Sequence, residues 1–265
     1  MSLRAAVANR NLLYLLSLRE LRTRYKKSVL GWAWSLLNPL SQMLIFSMIF
    51  LYVFEQVPTT GEPSGLKNFP LYFLCGLLPF NFFSIGIGVS IGQVQNGAGL
   101  IKKVQFPHEH LVFSVIVAQF VTLLIEMVVL TIAMLIGGNM VLPWLPPLLL
   151  VLALLALFTT GIALVLSSCN VFFHDVNYLW GILVQLLFYA TPIIYDPANI
   201  DLDVLQKIAN YGPTGSFVIA VRNIMYDLRM PGTGRLIQLV VLAFGSFLIG
   251  AWVFNRLSPR FAEEM

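Results

Sequence analysis

The stretch PPLLLVLALLALFTTGIALVL, residues 146–166, decides the fold: 21 consecutive residues without a charge. At a rise of about 1.5 Å per residue, a helix of that length covers the roughly 30 Å hydrocarbon core of a bilayer. The run overlaps a segment at 147–168, and five other segments share its character: 34–54, 70–91, 111–136, 177–195 and 235–254. Charged residues make up 11% of the chain and hydrophobic ones 58%, with a mean hydropathy of +0.83. A soluble domain carries about a quarter charged residues. None of the segments alternates at period two, so membrane-spanning helices are expected and barrel strands are not. The expected fold is an all-α integral membrane protein with six transmembrane helices, forming a single domain over residues 1–265.

The charges that remain orient this bundle. Seven cations precede the first span (Arg4, Arg10, Arg19, Arg22, Arg24, Lys26 and Lys27), which places the N-terminus in the cytoplasm. Counting spans forward puts eleven Lys and Arg residues inside and five outside, with both termini cytoplasmic. Met1 to Lys27 lacks the compact apolar core and small-residue cleavage site of a signal peptide. The net charge of +4 reads as this positive-inside bias rather than as nucleic-acid binding. Cys75 and Cys169 lie far apart on the map and read as packing residues, without a redox or metal message.

Three polar segments interrupt the apolar map. Residues 9–27 mix leucines with Arg19, Arg22, Tyr25 and Lys26 at a helical period, too charged to cross a bilayer. They read as an amphipathic interfacial helix that serves as an anchor or meets a partner. Residues 95–110 contain Gly97 and Gly99, then Leu100, Ile101, Lys102 and Lys103, then Phe106, Pro107 and Glu109. This is a compact element joined to two spans, suited to receive force from a soluble partner; a plain basic turn fits the same residues. Residues 196–234 hold two short amphipathic pieces, Leu202 to Tyr211 and Phe217 to Leu228. In the second, Phe217, Ala220, Val221, Ile224 and Met225 share a face, with Arg222, Asp227 and Arg229 off it. Such pieces are re-entrant or interfacial. Asn38-Pro39 is placed at the start of the first span, where proline is tolerated.

Three stretches together resemble a known family. They are RELRTRYKKSVLGWAWSLLNPL (19–40), LIKKVQFPHE (100–109) and YATPIIY (189–195). The chain resembles the permease subunits of ATP-binding-cassette exporters for polysaccharides of the O-antigen, galactan and teichoic acid type. In that family a proline often follows the Phe-Pro-x-Glu stretch, where Leu111-Val112 stands here. The resemblance implies a homodimer in the bacterial plasma membrane, carrying two cytoplasmic ATPase subunits that bind ATP and Mg. It implies that 95–110 is the coupling helix to those subunits, with Leu100, Ile101, Lys102, Lys103, Phe106, Pro107 and Glu109 as the contacts. It also implies that the N-terminal helix lines substrate entry and that 196–234 supplies re-entrant helices near the exit.

The chain's own chemistry is sparse. No Walker A loop and no His-Glu-x-x-His helix occurs. His108-Glu109-His110 is not a metal cluster, because neighbours at i and i+2 do not share a helix face. His174-Asp175 reads as a helix-start turn. Glu126 stands inside the third span, where an ionisable group is expensive and faces protein or water. Aromatic rings offer stacking platforms to sugar faces. The candidates for a conduit are Tyr52, Phe80, Phe82, Phe83, Tyr189 and Tyr195, with Asn81, Phe188 and Phe54 beside them. The expectation is a non-enzymatic permease exporting a lipid-linked polysaccharide. An ATPase-independent secondary transporter or channel is the alternative, and a membrane enzyme is a third; neither the extra intramembrane acids of the one nor the interfacial Asp, His and Glu cluster of the other is found.

Overall fold

A computed structural model of the 265-residue chain describes residues 10–24, 31, 33–53, 60–101, 106–199 and 202–264. Every regular element among them is helical. In chain order they are α1 (Arg10–Arg24), α2 (Ala33–Met48, continued by a π turn Ile49–Val53), α3 (Phe69–Asn96), α4 (Glu109–Ile136) and α5 (Leu145–Phe172). Then come α6 (Val176–Ala190), α7 (Asp203–Tyr211), α8 (Pro213–Met225) and α9 (Thr233–Leu257). Four helical stretches, 69–96, 109–136, 142–172 and 233–260, are long and apolar enough to cross a membrane, and α6 is a shorter apolar helix. The protein is a multi-pass membrane protein.

Local sequence explains where the helices begin and stop. Asn68 caps α3, its side-chain oxygen accepting from the Leu71 amide at 3.2 Å, with Pro70 in the first turn. Gly97 closes the same helix, and a Cβ there would lie 2.6 Å from Leu111 Cδ1. Gly138, at a φ of +86°, turns the chain between α4 and α5. Pro39 lies inside α2, which begins six residues before it at Ala33. Helix α2 starts within one residue of the expected span at 34–54, and Pro39 is buried in its second turn rather than set at the helix end.

Helix α3 is the hub, packed against α2, α4, α5, α6 and α8. Its buried residues run around the whole helix, from Phe69 and Tyr72 through Phe82 and Phe83 to Ile91 and Val94. On its far side α5 crosses α9 at very short range. A Cβ on Gly161 would run into the backbone of Ser246, and one on Gly250 into the backbone of Gly161. Small residues four apart let two membrane helices approach closely and gain dispersion contacts. Helix α1 packs along α4.

Side-chain bonds define two ends of the bundle. At one, which we term basal, Gln95 Nε2 donates to Asn170 O (2.8 Å) and Asn170 Nδ2 donates to Ile91 O (3.2 Å). At the other, apical end, Asn139 Nδ2 donates to Met225 O (2.8 Å) and Tyr226 O (3.1 Å).

Candidate functional site

The apical end is built around α8. This helix holds an arginine, an asparagine and two hydroxyl side chains, and is nonetheless buried on nearly every side. Arg222 is only 5% exposed. Its Nη1 donates to Pro192 O at 2.8 Å and its Nη2 to Ile193 O at 3.0 Å, while the guanidinium lies 3.6 Å from the Tyr72 ring centroid. Gly76 makes the space, since a Cβ there would be 3.0 Å from Nη2. The expected helical face of Phe217, Ala220, Val221, Ile224 and Met225 is buried as anticipated, but Arg222 is buried with it. The off-face placement of Arg222 is corrected for a physical reason. Its fork satisfies two carbonyls freed where α6 ends at Thr191-Pro192, and these bonds offset the cost of burying the charge.

The C-terminal end of α8 is held as firmly. Tyr226 Oη donates to Leu66 O (2.9 Å) and accepts from the Asn68 amide (3.0 Å), while Ser64 Oγ donates to Tyr226 O (2.6 Å). Asp227 pairs with Arg229 at 3.2 Å. Burial pushes the Asp227 carboxyl upward and outweighs the Arg229 charge, which pulls it down. The phenol of Tyr226 is also pushed up by burial.

The conduit candidates separate into two groups. Phe80, Phe82 and Phe83 are buried: Phe80 meets Phe188 edge-on at 5.6 Å, Phe82 meets Phe120 at 6.0 Å, and Phe83 stacks on Phe158 at 5.6 Å. Tyr52 and Tyr189 are open, at 79% and 65% exposed. Tyr195 is half-buried, its hydroxyl donating to Tyr189 O at 2.8 Å. Tyr189 belongs to a broad open face of α6 with Tyr178, Leu179, Ile182, Leu183 and Leu186. One side chain, Trp180, pins α6 to the hub; its Nε1 donates to Ser84 O at 3.2 Å, beside Gly88. Asp175 stands at the N-cap of α6 without a side-chain capping bond.

At the basal end a helical turn, Ala98–Ile101, follows Gly97 and contains Leu100 and Ile101. Lys102 and Lys103 lie outside the described residues, as do Tyr25 and Lys26 of the N-terminal segment. Arg19 and Arg22 are exposed on α1. Phe106, Pro107 and Glu109 are half-buried, Glu109 opening α4. The His108 ring lies 5.6 Å from Phe106 and 6.2 Å from Phe261, and burial lowers its pKa from the ordinary imidazole value. Phe261 is fully buried against Phe254 (5.4 Å) and Phe172 (6.2 Å). Sequence reasoning missed this tie between the tail and the 95–110 segment. A single Phe among Ser258, Pro259, Arg260 and Glu263 has no periodicity to reveal it.

Glu126 is buried on α4 and lines a narrow crevice with Leu36, Pro39 and Leu40 of α2 and Leu74 and Leu78 of α3. No cluster of three metal-ligating side chains occurs among the described residues. Residues 88–92, GVSIG, spell the Gly-x-Ser-x-Gly pattern of a nucleophile elbow. They lie mid-helix in α3, where the Ser90 hydroxyl donates to Gly86 O at 2.7 Å, so the strained turn that exposes such a serine is missing.

The described residues form a bundle of apolar helices with a polar cap at one end and an aromatic tie at the other, the architecture of a multi-pass membrane protein. Residues 11–226 match the ABC-2 type transporter family profile, and the chain belongs to that family. It is 29% identical over 257 residues to an O-antigen export system permease protein RfbA of Klebsiella pneumoniae, covering 96% of this chain and 94% of the relative. A Myxococcus xanthus protein of the same name is 29% identical over 258 residues, covering 97% and 96%. The polysialic acid transport protein KpsM of Escherichia coli is 26% identical over 181 residues, 68% of each chain.

Proposed function

We propose that this chain is the permease subunit of an ATP-driven exporter that moves a lipid-linked polysaccharide across the bacterial plasma membrane. The observation that carries the reading is the near end-to-end likeness to O-antigen export permeases, together with the family match over 11–226. In this reading α2 and α6 complete a set of six spans. Helix α2 with its π turn runs 21 residues, and the 15-residue α6 is followed by the apolar turn Thr191 to Tyr195. Both termini then face the cytoplasm, where α1 lies along the interface with Arg19 and Arg22 toward headgroups. Two copies enclose the conduit, and two ATPase subunits hold ATP and Mg. The contact surface for those subunits is Leu100, Ile101, Lys102, Lys103, Phe106, Pro107 and Glu109.

A sliding polymer needs many weak contacts rather than a few tight ones. The open α6 face with Tyr178 and Tyr189, and Tyr52 on the π turn, suit this as stacking surfaces. Phe80 and Phe83 support that face from behind, through Phe188 and Trp180, while Phe82 packs on Phe120 of α4.

Deleting the gene should remove the glycan from the cell surface, leave lipid-linked glycan inside, and be complemented by the intact chain. Ile101→Pro tests the coupling assignment, since proline in a helical turn costs about 3 kcal/mol. The variant should insert normally but neither stimulate ATP hydrolysis nor restore export. Unchanged surface glycan in the deletion strain would refute the proposed function, and full export by Ile101→Pro at normal abundance would refute the coupling surface.

A further inference from the structure

Beside the Arg222 tie, the apical end encloses a polar cavity of about 570 Å³. That volume falls within the range of about 300–1,000 Å³ common to small-molecule sites. Its walls come from residues 60–62, the start of α3, the chain after α6, the end of α7, helix α8, the turn after it and the first turn of α9. Three carboxylates (Glu62, Asp196 and Asp227) and three guanidiniums (Arg222, Arg229 and Arg235) line it. Much of this charge is already held by protein. Arg222 is committed to two carbonyls, Arg229 to Asp227 and to Asn223 Oδ1 at 3.3 Å, and Asp196 to the Ala198 amide at 3.0 Å. Arg235 Nη1 donates to Asn210 O at 3.0 Å, and Asn210 and Thr60 also line the cavity.

The lining selects by what it cancels. A bound anion would face three carboxylates and a bound cation three guanidiniums. At like distances the attractions and repulsions are equal in size and opposite in sign, so they offset. An apolar ligand would strip water from charges and give nothing back. A zwitterion needs its two charges matched by separate patches, whereas here Asp227 and Arg229 are paired at 3.2 Å and the signs interleave. A neutral molecule rich in hydroxyls meets no such conflict, because each hydroxyl both donates to a carboxylate and accepts from a guanidinium or amide.

We propose that this apical cavity is a binding site for a neutral, hydroxyl-rich saccharide segment on the outer side of the membrane. The proposal rests on the reading of the chain as a glycan exporter, and it makes the cap around α8 a holding point for the sugar chain as it leaves. Thr60 and Glu62 are exposed, so the cavity opens outward.

The test uses the full chain in its own cells. Thr60→Cys and Asn210→Cys place a thiol at the cavity, and Lys207→Cys places one on the exposed face of α7 as a control. Native Cys75 is buried and Cys169 lies near the basal end of α5, so neither competes for an impermeant maleimide applied from outside. Labelling is compared between cells making the glycan and cells lacking its first glycosyltransferase. The thiols at 60 and 210 should react about threefold more slowly in glycan-making cells, the protection given by a ligand at roughly twice its dissociation constant. The thiol at 207 should react equally in both. Equal rates at 60 and 210 in the two strains overturn the proposal. So does protection shared equally by position 207, which would mean a general closing of the outer face, and so does failure of 60 and 210 to react in either strain. Loss of the parent function is read separately, from surface glycan in the deletion strain.

Discussion

Helices α6 and α8, separated in sequence by the short α7, are opposites in structure. Helix α6 has 15 residues without a charge, and one of them, Trp180, is buried. Helix α8 has 13 residues that include an arginine, and eleven of them are buried. In a water-soluble protein the more apolar helix would be the interior one. Here both lipid and protein interior are apolar, so hydrophobicity does not report burial. What marks the buried helix is its small and hydrogen-bonding residues (Thr214, Gly215, Ser216, Ala220 and Asn223), which need protein partners because lipid supplies none.

The contrast can be broken most severely at Arg222. Arg222→Met leaves the Pro192 and Ile193 carbonyls without their donors. At about 1–3 kcal/mol for each unsatisfied buried group, the loss should reach several kcal/mol. Purified protein should lose monodispersity in detergent at markedly lower temperature, and Arg222→Lys should recover only part, since one ammonium cannot reproduce a fork. A thermal profile like that of the parent would show that the cap does not depend on this arginine.

Trp180→Ala attacks the other helix at its one buried side chain. Removing a buried Trp costs about 3–5 kcal/mol in a full core, and the lower part of that range is expected, because the loss falls on docking of α6 alone. Protease sensitivity should rise near Phe173 to Asp175 while the apical cap stays intact. Cleavage spread evenly over the chain would mean that α6 is integral to the core.

Tyr189→Ala sharpens the comparison from the exposed side. Exposed positions change stability by within about 0.5 kcal/mol, so abundance should be unchanged. Surface glycan should fall if the α6 face is the stacking surface proposed. Full export at normal abundance would remove Tyr189 from the conduit.

The smallest effect is expected away from both helices, at His108. Because burial lowers its folded-state pKa, the neutral ring is favoured in the folded protein. The associated stability is present above the ordinary imidazole value of about 6.5 and is lost as pH falls through the lowered one. Thermal stability should therefore drop slightly on acidification, and His108→Phe should flatten that drop. An identical pH dependence in the variant would exclude His108 as its source.

Much of the architecture is legible in residue patterns. The long apolar runs locate α3, α4, α5 and α9, Gly97 and Gly137-Gly138 mark their ends, and Asp203–Tyr211 nearly coincides with the first amphipathic piece. The second piece is found a few residues early, beginning at Pro213, since proline readily occupies the first turn of a helix. The site is less legible. Periodicity assigns Arg222 to an outward face because an arginine's partners are invisible in the linear chain. The two carbonyls that hold it are 29 and 30 residues away. Phe261 escapes for the same reason: its neighbours His108, Phe172 and Phe254 come from three separate segments.

What the amino-acid sequence determined alone is the solvent of each segment, because transfer of a 20-residue apolar run is a local, additive property. It set the membrane-embedded class, the helix ends, and the segments that stay polar. Only the tertiary structure decided which helix faces lie in protein and which lie open, whether α6 or α8 fills the core, and that six charges from five segments enclose one cavity. Those outcomes depend on close approach at Gly76, Gly161 and Gly250 and on bonds between distant residues. Such terms are pairwise and long-range, and no window of sequence contains both partners.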